Sequence, residues 1–259
     1  MSFVCSNNLS LGNDQVAIAL TFGAFGRHVG LVYSDKGSLK VAHMRFHLNV
    51  AVEEFPTSHA PCWIASPLKI HPMNAKTLIG HLNRIGSSVA KISFGVNIRS
   101  SRGSFTSNGV YRRPAGNDGL TCATFANELC RSIGLPLVNE QSWNVEREAD
   151  RLWVEEVAHM LHEKNADHSH IAWVRGNSDG LRIRPEEIAA AGNYKATSIG
   201  IEFQQAEADG LLLLELLDRC CPDGTRRLTE IAKASKKHLN SPLPLMPAMG
   251  FSDQPSLEG

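Results

Sequence analysis

The chain has no excess of either charge. Its 26 Lys and Arg are matched by 26 Asp and Glu, a formal net charge of zero. Proteins that hold nucleic acid by bulk electrostatics carry a basic excess, so that partner class is excluded. The arginines Arg99, Arg102, Arg112 and Arg113 form only a local basic run. No apolar run reaches the length of about 18 residues that a membrane-spanning helix needs, which argues against integral membrane association. Paired cysteines at CxxC spacing are missing, so neither a zinc ribbon nor a thioredoxin motif is available. There is no glycine-rich phosphate loop and no dinucleotide fingerprint, and no cofactor is expected. No basic segment precedes the first apolar stretch, so the start does not read as a signal peptide. The compartment expected is the cytoplasm, with export by a dedicated secretion machine left open. No repeat of 20 to 50 residues, roughly, is visible.

What is present fits a globular protein. Of 259 residues 42% are hydrophobic, and 21 are glycine, enough for a sizeable core without covalent staples. The six cysteines, Cys5, Cys62, Cys122, Cys130, Cys220 and Cys221, are too few and too irregular for a disulfide framework. They read as free thiols of a reducing compartment, with the adjacent Cys220 and Cys221 buried or idle.

The first third reads as strands. Residues 15–21 and 28–33 are apolar, and Ser34-Asp-Lys-Gly37 is a hairpin turn. Residues 39–48 alternate, with Ala42, Met44, Phe46 and Leu48 on one face and His43, Arg45 and His47 on the other. Residues 61–65 and 92–96 are further strand candidates. A helix is expected over 74–85, capped by Asn74 and stopped by Gly86. Residues 99–119 read as a long loop. A clear helix follows over 121–133, with Phe125, Leu129 and Ile133 on one side and Gly134 and Pro136 at its end. Helices are also expected over 145–164, from Pro185, over 206–220 and over 225–238. Residues 241–259, with Pro242, Pro244, Pro247 and Pro255, read as a disordered tail. Residues 1–240 read as one domain of α+β class.

Chemistry concentrates where a polar loop leads into a helix, at Gly119-Leu-Thr121-Cys122-Ala-Thr-Phe125. Backbone N–H groups in the first helical turn are unpaired and partly positive. They stabilise a thiolate, lower the thiol pKa and can hold an oxyanion during acyl transfer. Cys122 therefore sits where a nucleophile would be. The alternative is a small buried hydrophobe. A cysteine nucleophile needs a base, and the base needs an orienting partner. With 11 histidines in the chain, presence means little and position more. His28 opens a strand and His43 lies on the next strand of the same hairpin, close enough for side chains on one face to touch.

Taken together, His28-Val-Gly30-Leu-Val, then Val41-Ala-His43, then Thr121-Cys122-Ala-Thr-Phe125 resemble the circularly permuted papain-like, NlpC/P60-type cysteine hydrolases. These include the lecithin:retinol acyltransferase-like and PPPDE-like groups. In the permuted forms the histidine strands come first and the cysteine helix later, as here. The resemblance covers roughly residues 15–135; Thr121 stands where those proteins often have Asn. It implies a small antiparallel sheet packed on the nucleophile helix, with Cys122 as nucleophile, His28 as base and His43 as orienting partner. It further implies cleavage of an amide bond in a peptide, isopeptide or cell-wall peptide through a thioester acyl-enzyme, with a peptide or protein substrate as partner. An acyltransferase or lipid esterase using the same residues, or an inert interaction protein of the same fold, are the alternatives.

Three further expectations concern substrate and metal. Thr121, Trp143 and Arg113 are candidate substrate-binding residues, Trp143 beside the cleft and Arg113 on its rim, while Trp153 is expected in the core. For the arginines before the nucleophile the plainer reading is a solvated loop. The histidines His159, His162, His168 and His170 lack acidic or cysteine neighbours at zinc-site spacing, so no metal is expected.

Overall fold

A computed structural model describes residues 2–23, 26–58, 60–87, 91–99, 101–112, 119–178 and 181–222. Arg113, the helix expected over 225–238 and the proline-rich segment 241–259 lie outside the described residues. Six strands, β1 (Val4–Cys5), β2 (Val16–Gly23), β3 (Gly26–Asp35), β4 (Ser38–Phe46), β5 (Asn49–Glu54) and β6 (Ile64–Pro67), form one sheet. Its order is β1-β6-β2-β3-β4-β5, and every pairing is antiparallel. The helices are α1 (Pro72–Ser87), α2 (Cys122–Ser132), α3 (Glu148–Glu163), α4 (His168–Gly176), α5 (Pro185–Ala191) and α6 (Phe203–Cys220). The class is α+β.

Local chemistry explains most of these elements. The β3–β4 hairpin turns at Lys36 and Gly37, both at positive φ (53° and 86°), as a tight turn matched to strand twist requires. Apolar residues occupy both parities of the central strands because both faces of the sheet are covered. Ile18, Leu20, Leu31 and Met44 share one core with Phe125 and Leu129 of α2. Ala17, Ala19, Val32 and Val41 pack against Trp63 on the other face. Full burial of large apolar side chains of this kind contributes roughly 1.5–3 kcal/mol each. The expected alternation of β4 is present over Ala42, Met44 and Phe46. It fails at Leu48, which is 47% exposed, because a φ of 56° there turns the chain into β5.

Several expectations are corrected. Residues 92–96 are not a strand: Ile92 and Phe94 are buried in the core, but only Phe94 makes a bridge, to Leu120. Helix α1 begins at Pro72, ahead of Asn74, and runs through Gly86. Strands β1 and β5 and helix α4 have no counterpart among the expected elements. The largest correction concerns the cysteines. Cys5 is bonded to Cys220 and Cys62 to Cys221, leaving Cys122 and Cys130 as the free thiols. The adjacent pair closing α6 forks onto neighbouring segments of the sheet edge: Cys5 faces Ile64 in the β1–β6 ladder, and Cys62 lies just ahead of β6. The cytoplasmic reading drew on free thiols, and four of the six are not free. No helix among the described residues is long and apolar enough to cross a membrane.

Candidate active site

The site begins at the start of α2. Thr121 is its N-cap, in extended conformation, and its side chain accepts from the Thr124 N–H at 3.1 Å. The Thr124 hydroxyl in turn accepts from the Thr121 N–H at 2.8 Å, and the Phe125 N–H bonds the Thr121 carbonyl. This reciprocal box satisfies the third and fourth residues of the turn. The N–H groups of Cys122 and Ala123 are turned toward the Cys122 sulfur instead. Gly119, two residues before the cap, has φ +136°, and a Cβ there would lie 1.9 Å from the Ser93 carbonyl oxygen. Only glycine lets the loop approach that backbone before entering the helix.

The sheet opens to receive this helix end. The β3–β4 ladder runs from the Asp35–Ser38 pair only as far as Leu31–Ala42, whereas β3 stays paired with β2 back to Gly26. On the side facing α2, the Val29 N–H therefore reaches the Cys122 sulfur in place of a strand partner. Burial pushes the Cys122 thiol up; the N–H groups of Val29, Ala123 and Cys122 and the charge of Arg182 pull the other way without cancelling it. The lowered pKa expected from the helix terminus is thus corrected: desolvation outweighs the partial charges. Such a thiol needs a general base at the moment of attack.

Two histidines line the same cavity as the thiol. His28 Nε2 and His43 Nδ1 are 2.7 Å apart, and His43 Nε2 is 2.7 Å from Glu53 Oε1. Arg45 bonds the second oxygen of Glu53. Burial alone would raise the Glu53 pKa, but the hydrogen bonds from Arg45 and His43 hold it below the usual value. An ionised carboxylate only accepts, and this orders the protons along the chain. His43 carries its proton on Nε2 and donates to Glu53. His43 Nδ1 is then an acceptor, so His28 carries its proton on Nε2 and donates to His43. His28 Nδ1 is then the unprotonated nitrogen of that ring. Trp63, fully buried, packs edge-on to both rings at 6.1 and 6.2 Å.

Gly30 makes the pairing of the two rings sterically possible. A Cβ there would lie 2.6 Å from Val41 Cγ2 and 3.1 Å from His43 Cβ. The glycine two residues after His28 thus lets β4 bring His43 against β3.

Cys122, Thr121, His28 and His43 all line one cavity of about 660 Å³. Its farther wall is apolar, with Phe46 stacked on Phe94 at 4.8 Å and Trp153 behind them. Among the candidate substrate-binding residues, Thr121 is on this lining and Trp143 is not. Trp143 is buried against Phe203, and its indole N–H donates to the Arg182 carbonyl. The two tryptophans exchange the roles expected of them, since Trp153 lines the cavity. Arg102 and Arg112 are exposed and away from it. His170 bonds the Phe94 carbonyl and stacks on His47 at 4.8 Å, His162 lies against His168, and His159 pairs with Glu163. No group of three or more potential ligands assembles among the described residues.

Glu53, Trp63, Arg45 and Arg182 were not singled out from the sequence. No sequence signal marked Glu53: its place beside His43 follows from the β4–β5 register, in which Ala51, two residues before it, faces His43. No family model, no curated protein and no solved structure matches the chain.

Proposed function

We propose that this protein is a cysteine hydrolase that cleaves an amide bond in a peptide, isopeptide or cell-wall peptide through a thioester acyl-enzyme. The observation that carries this reading is the carboxylate–histidine–histidine chain Glu53–His43–His28 opening on the same cavity as a free cysteine at a helix N-terminus. We place the fold with the permuted papain-like hydrolases on the order and spacing of His28, Gly30, His43 and Cys122. The substrate class comes from that resemblance. The two disulfides favour an oxidising compartment as the place of action.

In the forward step His28 Nδ1 takes the Cys122 proton as the sulfur attacks the carbonyl carbon. The oxyanion that forms faces the Cys122 and Ala123 N–H groups, which the helix cap leaves uncommitted. His28 returns the proton to the leaving nitrogen as the C–N bond breaks, and the amine departs. A water then gives a proton to His28 and attacks the thioester carbonyl. The sulfur leaves and is reprotonated, and the carboxylic acid is released. His43 and Glu53 hold His28 in the reactive tautomer and stabilise its charged form.

The test is a panel of peptide amides, isopeptides and cell-wall peptides, with acyl-enzyme followed as a hydroxylamine-labile mass increase on Cys122. His28→Ala is expected to lose on the order of 10³-fold or more in kcat/KM. His43→Gln should retain more, because its amide oxygen can still accept from His28. If His28→Ala turns over like the parent, or the acyl group is found elsewhere than Cys122, the reading fails. Acyl transfer to a lipid acceptor without release of an amine would favour the acyltransferase alternative.

A further inference from the structure

The same cavity holds a guanidinium that the hydrolytic relay does not use. Arg182 lines it beside Cys122, whose sulfur feels its charge. Its position is held from several sides. Trp153 lies under the guanidinium, 3.3 Å from ring centroid to the central carbon. The Arg182 carbonyl accepts from Trp143 Nε1 at 3.1 Å and from Arg147 Nη2 at 2.8 Å.

What distinguishes Arg182 from the other arginines around it is that its fork is unspent. Arg147 bonds Asp150 and Glu187, and Arg184 bonds Asp150 at 3.0 Å. On the cavity wall Arg27 is paired with Glu186 and Arg45 with Glu53. Asp150, already bonded to two arginines, is 3.7 Å from Arg182 Nη1, beyond hydrogen-bond distance. The Arg182 side chain donates to no acceptor among the described residues, and its Nε is buried. Burial lowers its pKa to about 10, so it stays charged at neutral pH. A half-buried guanidinium with unused donors facing a cavity is costly to leave unmatched, and the group that matches its planar fork is a carboxylate.

We infer that Arg182 is a specificity-determining residue, and that the substrate bears a carboxylate on its acyl part, near the carbonyl that Cys122 attacks. This rests on the hydrolase reading and names its substrate class: an anionic acyl group, placed by a stacked guanidinium beside the nucleophile. Asp167, the acidic residue on the cavity rim, does not compete, since its carboxylate caps α4 by accepting from the Ser169 N–H at 2.7 Å.

The experiment uses two reagents that differ only in that group. The full chain, disulfides intact, is treated at about pH 8 with iodoacetate or iodoacetamide, and modification of Cys122 is followed by mass spectrometry against glutathione. In both cases the sulfur displaces iodide and forms one S–CH₂ bond. Relative to glutathione, Cys122 should favour iodoacetate by about tenfold or more, a margin that fits a charge-assisted pair. Arg182→Gln should abolish the preference, and Arg182→Lys should keep part of it. Trp153→Leu, which removes the stacking surface and leaves the charge, should weaken it and serves if Arg182→Gln does not fold. A parent protein without preference overturns the inference and leaves the nucleophile intact. So does an Arg182→Gln protein that keeps the preference, which would assign it to another cation. An equal slowing of both reagents in Arg182→Gln would make Arg182 a general electrostatic stabiliser and also overturn it. Failure of both reagents to modify Cys122 would sink the hydrolase reading and the inference with it.

Discussion

The two ends of α2 carry the same residue type under opposite electrostatics. Cys122 and Cys130 are both free and both buried. At the first turn, burial is opposed by three N–H groups and by Arg182. Near the last turn the neighbouring carboxylate reinforces it instead: burial and Glu128 together push Cys130 up to about 12. Glu128 itself is pushed up to about 7 by burial, with Glu140 adding to the rise and Arg131 and the Gly103 N–H pulling against it. The helix dipole has the same sense, positive at Cys122 and negative toward Cys130. Of the two thiols, Cys122 lines the cavity described above and Cys130 does not. What separates the two thiols is thus which groups face the sulfur, since depth of burial is shared.

The sharpest way to break this comparison is to delete each thiol in turn. Cys122→Ala should lower kcat/KM on the order of 10⁴-fold or more, as loss of a nucleophile does. Cys130→Ala should leave it nearly unchanged while costing about 1 kcal/mol of stability through the small cavity left behind. Comparable losses of activity from both would mean that the two ends are not chemically distinct.

Next in size is a pH effect at the far end. The folded pKa of Glu128 lies above its ordinary value, so between about pH 5 and 7 the native state holds a proton that the unfolded chain has released. Stability carried by this group therefore falls as pH rises through that window. Glu128→Gln should flatten that part of the curve in denaturant titrations across the range. An unchanged slope would show that the Glu128 carboxyl is ionised throughout.

The smallest effect belongs to the cap. Thr121→Ala removes the acceptor for the Thr124 N–H and should cost about 1 kcal/mol, read as a lowered Tm. It should also reduce kcat, because the first turn that orients Cys122 frays. A variant as stable as the parent would mean that the turn is held by its packing on β3 alone.

Much of this arrangement is legible in the sequence. The hairpin at Lys36–Gly37, the alternation of β4 and the amphipathic α2 rest on turn chemistry and periodicity, which act over a few residues. The order of His28, His43 and Cys122 could be read for the same reason, each being marked by its own strand or helix start. Glu53 could not, because its role depends on the register of a strand that pairs only through the bend at Leu48. Trp143 and Trp153 exchanged places because each is settled by Arg182, the carbonyl of which binds one indole while its guanidinium covers the other. The disulfides are not legible in the sequence because irregular spacing carries no information about partners lying 215 and 159 residues apart.

By itself, then, the sequence determined the element types, the α+β class and the chain order of a cysteine behind two strand histidines. Local propensities and backbone sterics need no distant partner for that. Only the tertiary structure decided which carboxylate ends the relay, and hence which nitrogen of His28 is basic. It alone left the Arg182 fork without an acceptor among the described residues, and it alone raised the Cys122 thiol where the helix terminus would have lowered it. Each of those outcomes depends on desolvation and on groups far apart in the chain, and no window of neighbouring residues contains them.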